Sequence, residues 1–494
     1  MDANASLALF RPELILAAAI LVVIFVDLFL ARERGRTPGP LPGRIALVAA
    51  VATLLPTAGL LGRAPAWLFD RMLVLDGFTV FFKMLLGLAL VAAVMMSLGS
   101  REVRGQPNEG EYYTLLLSSG LAMFLMAAAA NLLMAYLSLE FVSLTSYVLT
   151  GFLRHNRRSG EAALKYLIYG GVASGAMIYG MSWVFGLTGA MDYAGIAAAI
   201  PTLDAASRPA LFLALVLVLA GFGYKIASVP FHMWAPDVYT GAPIPVTALL
   251  AVGSKAAGFA MVLRFFAFGG SAATVGALRQ LPVPELLSVL AVATMTLGNF
   301  AALAQTNMKR LLAYSSIAHA GYALLGVVVL SPAGLESVLF YLAVYYVMNL
   351  GAFWIVMLVA NTTGREDIDA YRGLAWRGGA LPAWALAIFL FSLAGLPPLA
   401  GFLGKFFVFW AGIEAKLYAL VLIGLVNSVV SLYYYARVVK AMFLDDPEPG
   451  AARVHIRVFE LGAVGVLSAV TLVLVLRFDW LVDFVHGARP VFPG

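Results

Sequence analysis

Along this chain, apolar residues come in long runs separated by short polar stretches. A run of about 18 or more apolar residues crosses a hydrocarbon core as one α-helix. Fourteen such runs are predicted: 9–31, 45–62, 74–98, 112–130, 132–153, 162–188, 209–229, 244–268, 284–303, 309–330, 334–360, 382–411, 417–443 and 458–476. The first is too long for a signal-peptide core and follows Arg11 and Glu13 instead of a basic start, so it reads as a span. Residues 189–208 leave room for a short surface helix. Residues 361–379, with Arg365, Glu366, Asp367 and Asp369, form the most polar stretch. Neither is long enough for a second domain. The expected fold is an all-α polytopic membrane protein, one membrane domain over residues 1–494.

The loop charges test this count. With the N-terminus placed outside, the inside loops hold 18 Lys and Arg residues, Arg36, Lys309 and Arg457 among them, and the outside loops and termini hold 8, including Arg279. The positive-inside rule then places both termini outside. One missed or invented helix would scramble this asymmetry, so it also supports fourteen spans.

Proline interrupts two of the runs. Pro230, Pro236, Pro243 and Pro245 follow Lys225, and Pro397 and Pro398 precede Lys405. Proline removes a backbone donor and breaks the helical ladder. Unwound backbone at membrane depth is tolerated only inside protein or beside water. Two proline-broken helices are therefore expected. Lys225 and Lys405 stand 180 residues apart, and Glu140 and His319 stand 179 apart. These offsets point to two five-helix units, 112–268 and 284–443, flanked by 1–98 and 458–476. Five is odd, so the second unit enters from the opposite side, as an inverted repeat. The match is imperfect, because Lys225 precedes its prolines and Lys405 follows its own.

Composition sharpens the class. Hydrophobic residues make up 62% and charged residues 12% of the chain, against roughly 25% charged in a soluble domain. Mean hydropathy is +0.93. The absence of cysteine excludes disulfides, cysteine-ligated iron–sulfur clusters and thiolate zinc sites. The five histidines form no pair at metal-ligand spacing, and no Walker-type glycine loop is present. The net charge of +6 comes from short loops beside apolar runs and does not indicate nucleic acid.

What remains is a set of ionisable residues inside the runs: Lys83, Lys165, Lys225, Lys255, Arg264, Lys405 and the acid Glu140. A charge at the bilayer centre costs about 2.5–3.5 kcal/mol on insertion scales, so such residues tend to face a polar interior and to carry function. Glu140 stacks at helical spacing with Tyr136, Ser143 and Tyr147, a polar stripe expected to face the protein. The competing reading is a structural acid tying two helices. Lys225 shares its face with Gly221 and Ser228, which allow close helix approach, and falls beside a broken helix and His232. Lys255, eleven residues into its span, is too deep to snorkel easily. His319 lies mid-span among serines, equally open to a core or a functional reading. Lys83, Lys165 and Arg264 lie nearer span ends, and Arg264 reads as an anchor. In general a buried lysine loses part of its preference for the charged form, and a nearby carboxylate restores it. Glu140 paired with Lys225, leading through Lys255 to Lys405, would make a proton relay. With no redox centre or nucleotide site in the chain, its energy must come from a partner.

These residues stand in motifs that resemble a known family. LSLEFVSLTSYVL surrounds Glu140; GYKIASVPFHMWAPDVYTGAPIPVTALLAVGSKAAGF holds Lys225, His232 and Lys255; KRLLAYSSIAHAGY holds His319; MNLGAF follows; SLAGLPPLAGFLGKF holds Lys405. The chain resembles the antiporter-like subunits of proton-pumping NADH-quinone oxidoreductase, respiratory complex I. VYTGAP, SSIAHAGY and MNLGAF are similar to its subunit N type. The resemblance implies a fourteen-helix fold with the inverted repeat. It implies Glu140 as a control carboxylate, Lys225 as its partner, Lys255 as a central and Lys405 as a terminal relay lysine. His232, His319 and Lys165 fall at positions near the same polar axis. It implies no cofactor in this chain; partner subunits would carry FMN and iron–sulfur clusters and bind quinone. Sister antiporter-like subunits would be its membrane partners, in a bacterial inner membrane with both termini periplasmic.

Three other readings stay open at this point. One is a subunit of a multisubunit sodium/proton antiporter, one a photosynthetic counterpart using plastoquinone. The third is a membrane scaffold whose buried charges only hold helices together.

Overall fold

The computed structural model describes residues 3–34, 40–267, 276, 278, 280–451, 453–454 and 458–491. Arg36, Arg279 and Arg457, counted above with the loop cations, lie outside these residues. Among the described residues, 13 helices are long and apolar enough to cross a membrane. They are Arg11–Arg34, Leu41–Ala58, Gly77–Gly99, Glu109–Ala128, Leu132–Thr150, Arg157–Thr188, Arg208–Ile226, Ile244–Phe266, Val283–Leu303, Met308–Val328, Pro332–Thr363, Tyr418–Phe443 and Val458–Leu476. The fourteenth run, 382–411, is two shorter helices, Ala380–Ala394 and Ala400–Glu414. Its proline pair falls in the gap between them.

Local signals set the helix ends. Asp76, Asn131, Asn156, Asn307 and Ser331 each accept a hydrogen bond from a first-turn N–H, satisfying one donor the helix cannot. Gly189 and Gly364 close their helices with left-handed backbone (φ 69° at both).

Both chain ends lie on one face. Phe10 packs edge-on against Phe69 at 5.2 Å, and the backbone N–H of Val491 donates to Asp76 at 3.0 Å. The 189–208 stretch joins them there through Tyr193 N–H to Ala130 O, at 3.0 Å. It carries the short helix Tyr193–Ala199. A shared face for the termini is what an even number of crossings requires. One element departs from the expected all-α chain, a small hairpin that pairs Ala66–Leu68 with Leu73–Leu75, and a short terminal helix, Phe478–His486, follows the last span. Three residues per strand fall below what alternation can signal.

Three helices occupy the centre: Ile244–Phe266, Met308–Val328 and Pro332–Thr363 are buried along nearly their whole length. Val458–Leu476 and Arg11–Arg34 sit at the perimeter. The central trio carries Lys255, His319 and Tyr345.

Candidate functional site

The first broken helix begins with Arg208–Ile226 and ends on Ala227, which adopts left-handed backbone (φ 57°). The chain then unwinds and resumes as Trp234–Gly241. The gap holds His232, whose Nδ1 is buried without a hydrogen-bond partner among the described residues. The break is braced from both sides. Trp234 donates to Tyr224 O across it at 3.0 Å, and Val229 N–H donates to Thr294 Oγ1 at 3.0 Å. Lys225 occupies the last turn of the first half, where the helix dipole favours a cation.

The second broken helix brings its lysine to a similar place. Ala380–Ala394 ends at Gly395 (φ 89°), and Ala400–Glu414 begins after the prolines. Lys405 lies in the second half, but its Nζ reaches back to donate to Ala394 O at 2.8 Å. Both lysines therefore belong to the C-terminal end of a first half-helix. Lys405 also donates to Ser428 Oγ at 2.8 Å and lies 4.7 Å from the centre of the Tyr322 ring.

Lys255 follows a π-helical turn, Leu250–Ser254, a feature often found at functional sites. Its Nζ donates to Ser316 O at 2.7 Å and also to Ser316 Oγ. Tyr345 donates to the same hydroxyl at 2.9 Å, and Tyr239 meets it at 3.4 Å. His319 contacts Tyr341 OH through Nδ1 at 2.6 Å and Tyr435 OH through Nε2 at 3.3 Å.

These groups form one row. Lys225 donates to Ser143 Oγ at 3.2 Å, and its stem lies against Gly258, where an added Cβ would come within 3.2 Å of Lys225 Cγ. Gly258 is one turn beyond Lys255. Ser316, His319 and Tyr322 then line one face of Met308–Val328 at spacing three and lead from Lys255 to Lys405. Lys225, Lys255 and Lys405 are 1%, 3% and 4% exposed. Among the described residues none has a carboxylate within ion-pair distance; all are held by neutral oxygens.

The remaining charges are placed differently. Glu140 is half-buried at the lateral surface beside exposed Leu137 and Leu144, and only Ser143 and Tyr147 of its stripe are buried. Its Oε1 has no hydrogen-bond partner among the described residues. The stripe thus runs from the interior to the lateral surface instead of facing wholly inward. Lys165 lies outside the row. It is 40% exposed and pairs with Glu161 and Asp237, each at 2.7 Å. Arg264 is no surface anchor: it is fully buried, bidentate to Asp76 at 2.8 and 2.9 Å. Lys83 is buried against Glu13 at 2.5 Å.

Sequence reasoning missed the hydroxyl groups of the row, since Tyr239, Tyr322, Tyr345 and Tyr435 count toward hydrophobic runs. The spacing of Ser316, His319 and Tyr322 was the available signal. It also counted Lys309 as a loop cation, whereas this lysine is buried.

Residues 129–431 match the family NADH:quinone oxidoreductase/Mrp antiporter, TM. The chain is 46% identical to NADH-quinone oxidoreductase subunit N of Anaeromyxobacter sp. (strain Fw109-5), over 100% of this chain and 99% of that one. It superposes on a chain of respiratory complex I from Thermus thermophilus, determined with bound aureothin, with a TM-score of 0.80. That chain is 32% identical, over 97% of this chain and 100% of its own length. A chain of the Mrp complex from Dietzia sp. DQ12-45-1b also gives a TM-score of 0.80, at 22% identity over 98% and 97% of the two chains, and shares the fold. With sequence, family match and fold in agreement over its length, the chain belongs to the NADH:quinone oxidoreductase/Mrp antiporter transmembrane family, as a relative of the subunit N type.

Proposed function

We propose that the buried row is a proton relay, through which this membrane subunit of an NADH-quinone oxidoreductase moves protons. The chain is a multi-pass membrane subunit of that translocating enzyme complex, with sister antiporter-like subunits as partners. Electron transfer from NADH to quinone takes place on partner subunits and supplies the energy. One observation carries the relay: three lysines at membrane depth have no carboxylate within ion-pair distance among the described residues and are held by hydroxyl and carbonyl oxygens. A buried cation used for stability is expected to have a carboxylate. A lysine held by neutral groups can lose its proton without leaving a charge stranded beside it.

Glu140 at the lateral end would bias Lys225, Lys255 and His319 would carry the proton inward, and Lys405 would release it. His232, beside the first break, and Lys165, in its half-exposed ion pairs, are secondary candidates. The two broken helices enter from opposite faces, which supports an inverted repeat of 112–268 and 284–443. The termini are assigned to the periplasmic face of a bacterial inner membrane, and the Arg- and Lys-rich loops to the cytoplasmic face. Near-full-length similarity to a subunit N favours the oxidoreductase over the antiporter reading, since the Mrp likeness is one of fold.

Lys225→Ala in the assembled complex tests the relay. With NADH as donor, protons translocated per NADH should fall. Unchanged pumping in a fully assembled complex would remove the relay and leave a scaffold.

A further inference from the structure

On the face opposite the termini, a cavity of about 760 Å³ opens between loops that join the spans. Arg101, Glu102, Arg158, Lys309, Arg365, Glu366 and Asp367 are the charged groups that line it. Two of them reach into the membrane helices. Glu102 Oε2 accepts the N–H of Ile244 at 2.9 Å, the first residue of the helix that carries Lys255. Lys309, 1% exposed, donates to Glu366 Oε1 at 2.7 Å and to Ala242 O at 2.9 Å. Ala242 closes the Trp234–Gly241 helix, which carries Tyr239. Thr247 Oγ1 donates to Tyr239 O at 3.1 Å, and the Tyr239 hydroxyl meets Ser316, the partner of Lys255. The cavity wall and Lys255 are thus joined by consecutive contacts.

Glu102 has the environment of a proton-binding group. Burial pushes its carboxyl above the ordinary value; the Lys309 ammonium and the Ile244 N–H oppose this, and Glu366 adds to it.

Resting on the relay reading above, we propose that this cavity is the proton-loading vestibule of the row, with Glu102 as acceptor and Lys309 as the cation that fixes the wall beside it. Glu102 takes one proton from a hydronium ion in the cavity and leaves a water molecule. Its second oxygen still accepts from Ile244, so the helix end stays capped. The loss of negative charge beside the helix N-terminus removes a stabilising partner of that dipole. When Glu102 passes the proton inward, the acceptor is a neutral lysine amine of the row. The carboxylate is then restored, and the amine becomes an ammonium. Lys309 keeps its proton throughout and fixes Ala242 against Glu366.

The test uses the intact complex in inside-out membrane vesicles, driven by NADH. Glu102→Gln keeps an oxygen for Ile244 and cannot take a proton. Its pumping rate should fall several-fold and lose its dependence on the pH of the loop-face medium, while Glu102→Asp retains both. Lys309→Met should shift the pH profile instead of flattening it. Normal pumping with an unchanged pH profile in Glu102→Gln overturns the proposal. If that variant does not assemble, Glu366→Gln and Lys309→Met are read in its place, and unchanged profiles in both overturn it. Lys255→Met separates the two levels. Normal pumping there sinks the relay itself, whereas its loss beside normal pumping in Glu102→Gln sinks only the vestibule.

Discussion

At the residue scale, the buried cations fall into two chemical groups. Lys83, Arg264 and Lys309 each face a carboxylate, Glu13, Asp76 and Glu366. Among the described residues, Lys225, Lys255 and Lys405 hydrogen-bond only to neutral oxygens. Charge inside the membrane is tolerable when paired, so Lys83 and Arg264 need no function beyond holding helices. Arg264 shows how much such a pair is worth. It joins Ile244–Phe266 to the cap of Gly77–Gly99, and a third donor bond goes to Thr79 at 2.7 Å. Arg264→Met should leave Asp76 buried and unpaired, at a cost of about 3–5 kcal/mol. Thermal unfolding of the purified complex should show the loss, and Arg264→Met combined with Asp76→Asn, which removes the charge but keeps the cap, should recover most of it. If the single variant melts normally, the pair is dispensable.

At the element scale, the two breaks do the same work by different routes. Each half-helix end leaves carbonyls without partners. In the second break, Lys405 covers one of them directly at Ala394. The approach of the two halves depends on Gly401, whose N–H donates to Ser392 Oγ at 3.0 Å. A Cβ there would lie 1.8 Å from Ser392 O, so backbone must move. Gly401→Ala is expected to push the halves apart and draw Lys405 off Ala394, lowering proton pumping although no charge has been removed. Pumping in vesicles, compared at equal assembled complex, is the measurement; no change would mean that the break tolerates separation. In the first break the tight glycine is Gly223, where an added Cβ would lie 2.8 Å from the Ser228 hydroxyl, and Trp234 and Thr294 brace the gap.

At the scale of the whole molecule, the row exists because separate helices meet at Ser316. Lys255 and Tyr239 come from the stretch 112–268, Ser316 and Tyr345 from the stretch 284–443. Ser316→Ala leaves Lys255 its backbone carbonyl partner and removes the shared hydroxyl. Pumping should drop with assembly intact; an unaffected rate would mean that the proton bypasses this junction. The loop face responds to pH through Asp367. Burial pushes its carboxyl up, but the hydrogen bonds and charge of Arg365 and the Ala370 N–H outweigh it and hold it below the ordinary range. A carboxylate depressed in the fold stabilises it above its unfolded pKa, about 3.9, and that contribution is lost as pH falls through the lower folded value. The segment Ile368–Tyr371 should therefore keep its amide protection at about pH 5 and lose it only below about pH 4. In Asp367→Asn, hydrogen exchange should show no such step.

The spans, their number, the two proline breaks and the identity of the depth-exposed charges were legible in the sequence, because lipid imposes length and polarity rules on each helix separately. One crossing of the fourteen fails as a single long helix only because its prolines split it. Which charges are paired was not legible. Arg264 and Asp76 are 188 residues apart, and nothing local in either helix announces the other. Lys309 looked like any loop cation until the cavity around Glu102 and Glu366 closed over it. The tyrosine and serine hydroxyls that fill the row are invisible to hydropathy and depend on which faces the helices turn to one another. The sequence by itself therefore determined how this chain crosses a membrane and where ionisable groups stand along it. Tertiary structure alone decided which of them neutralise each other and which remain in a row, since pairing depends on distances between helices that no single helix encodes.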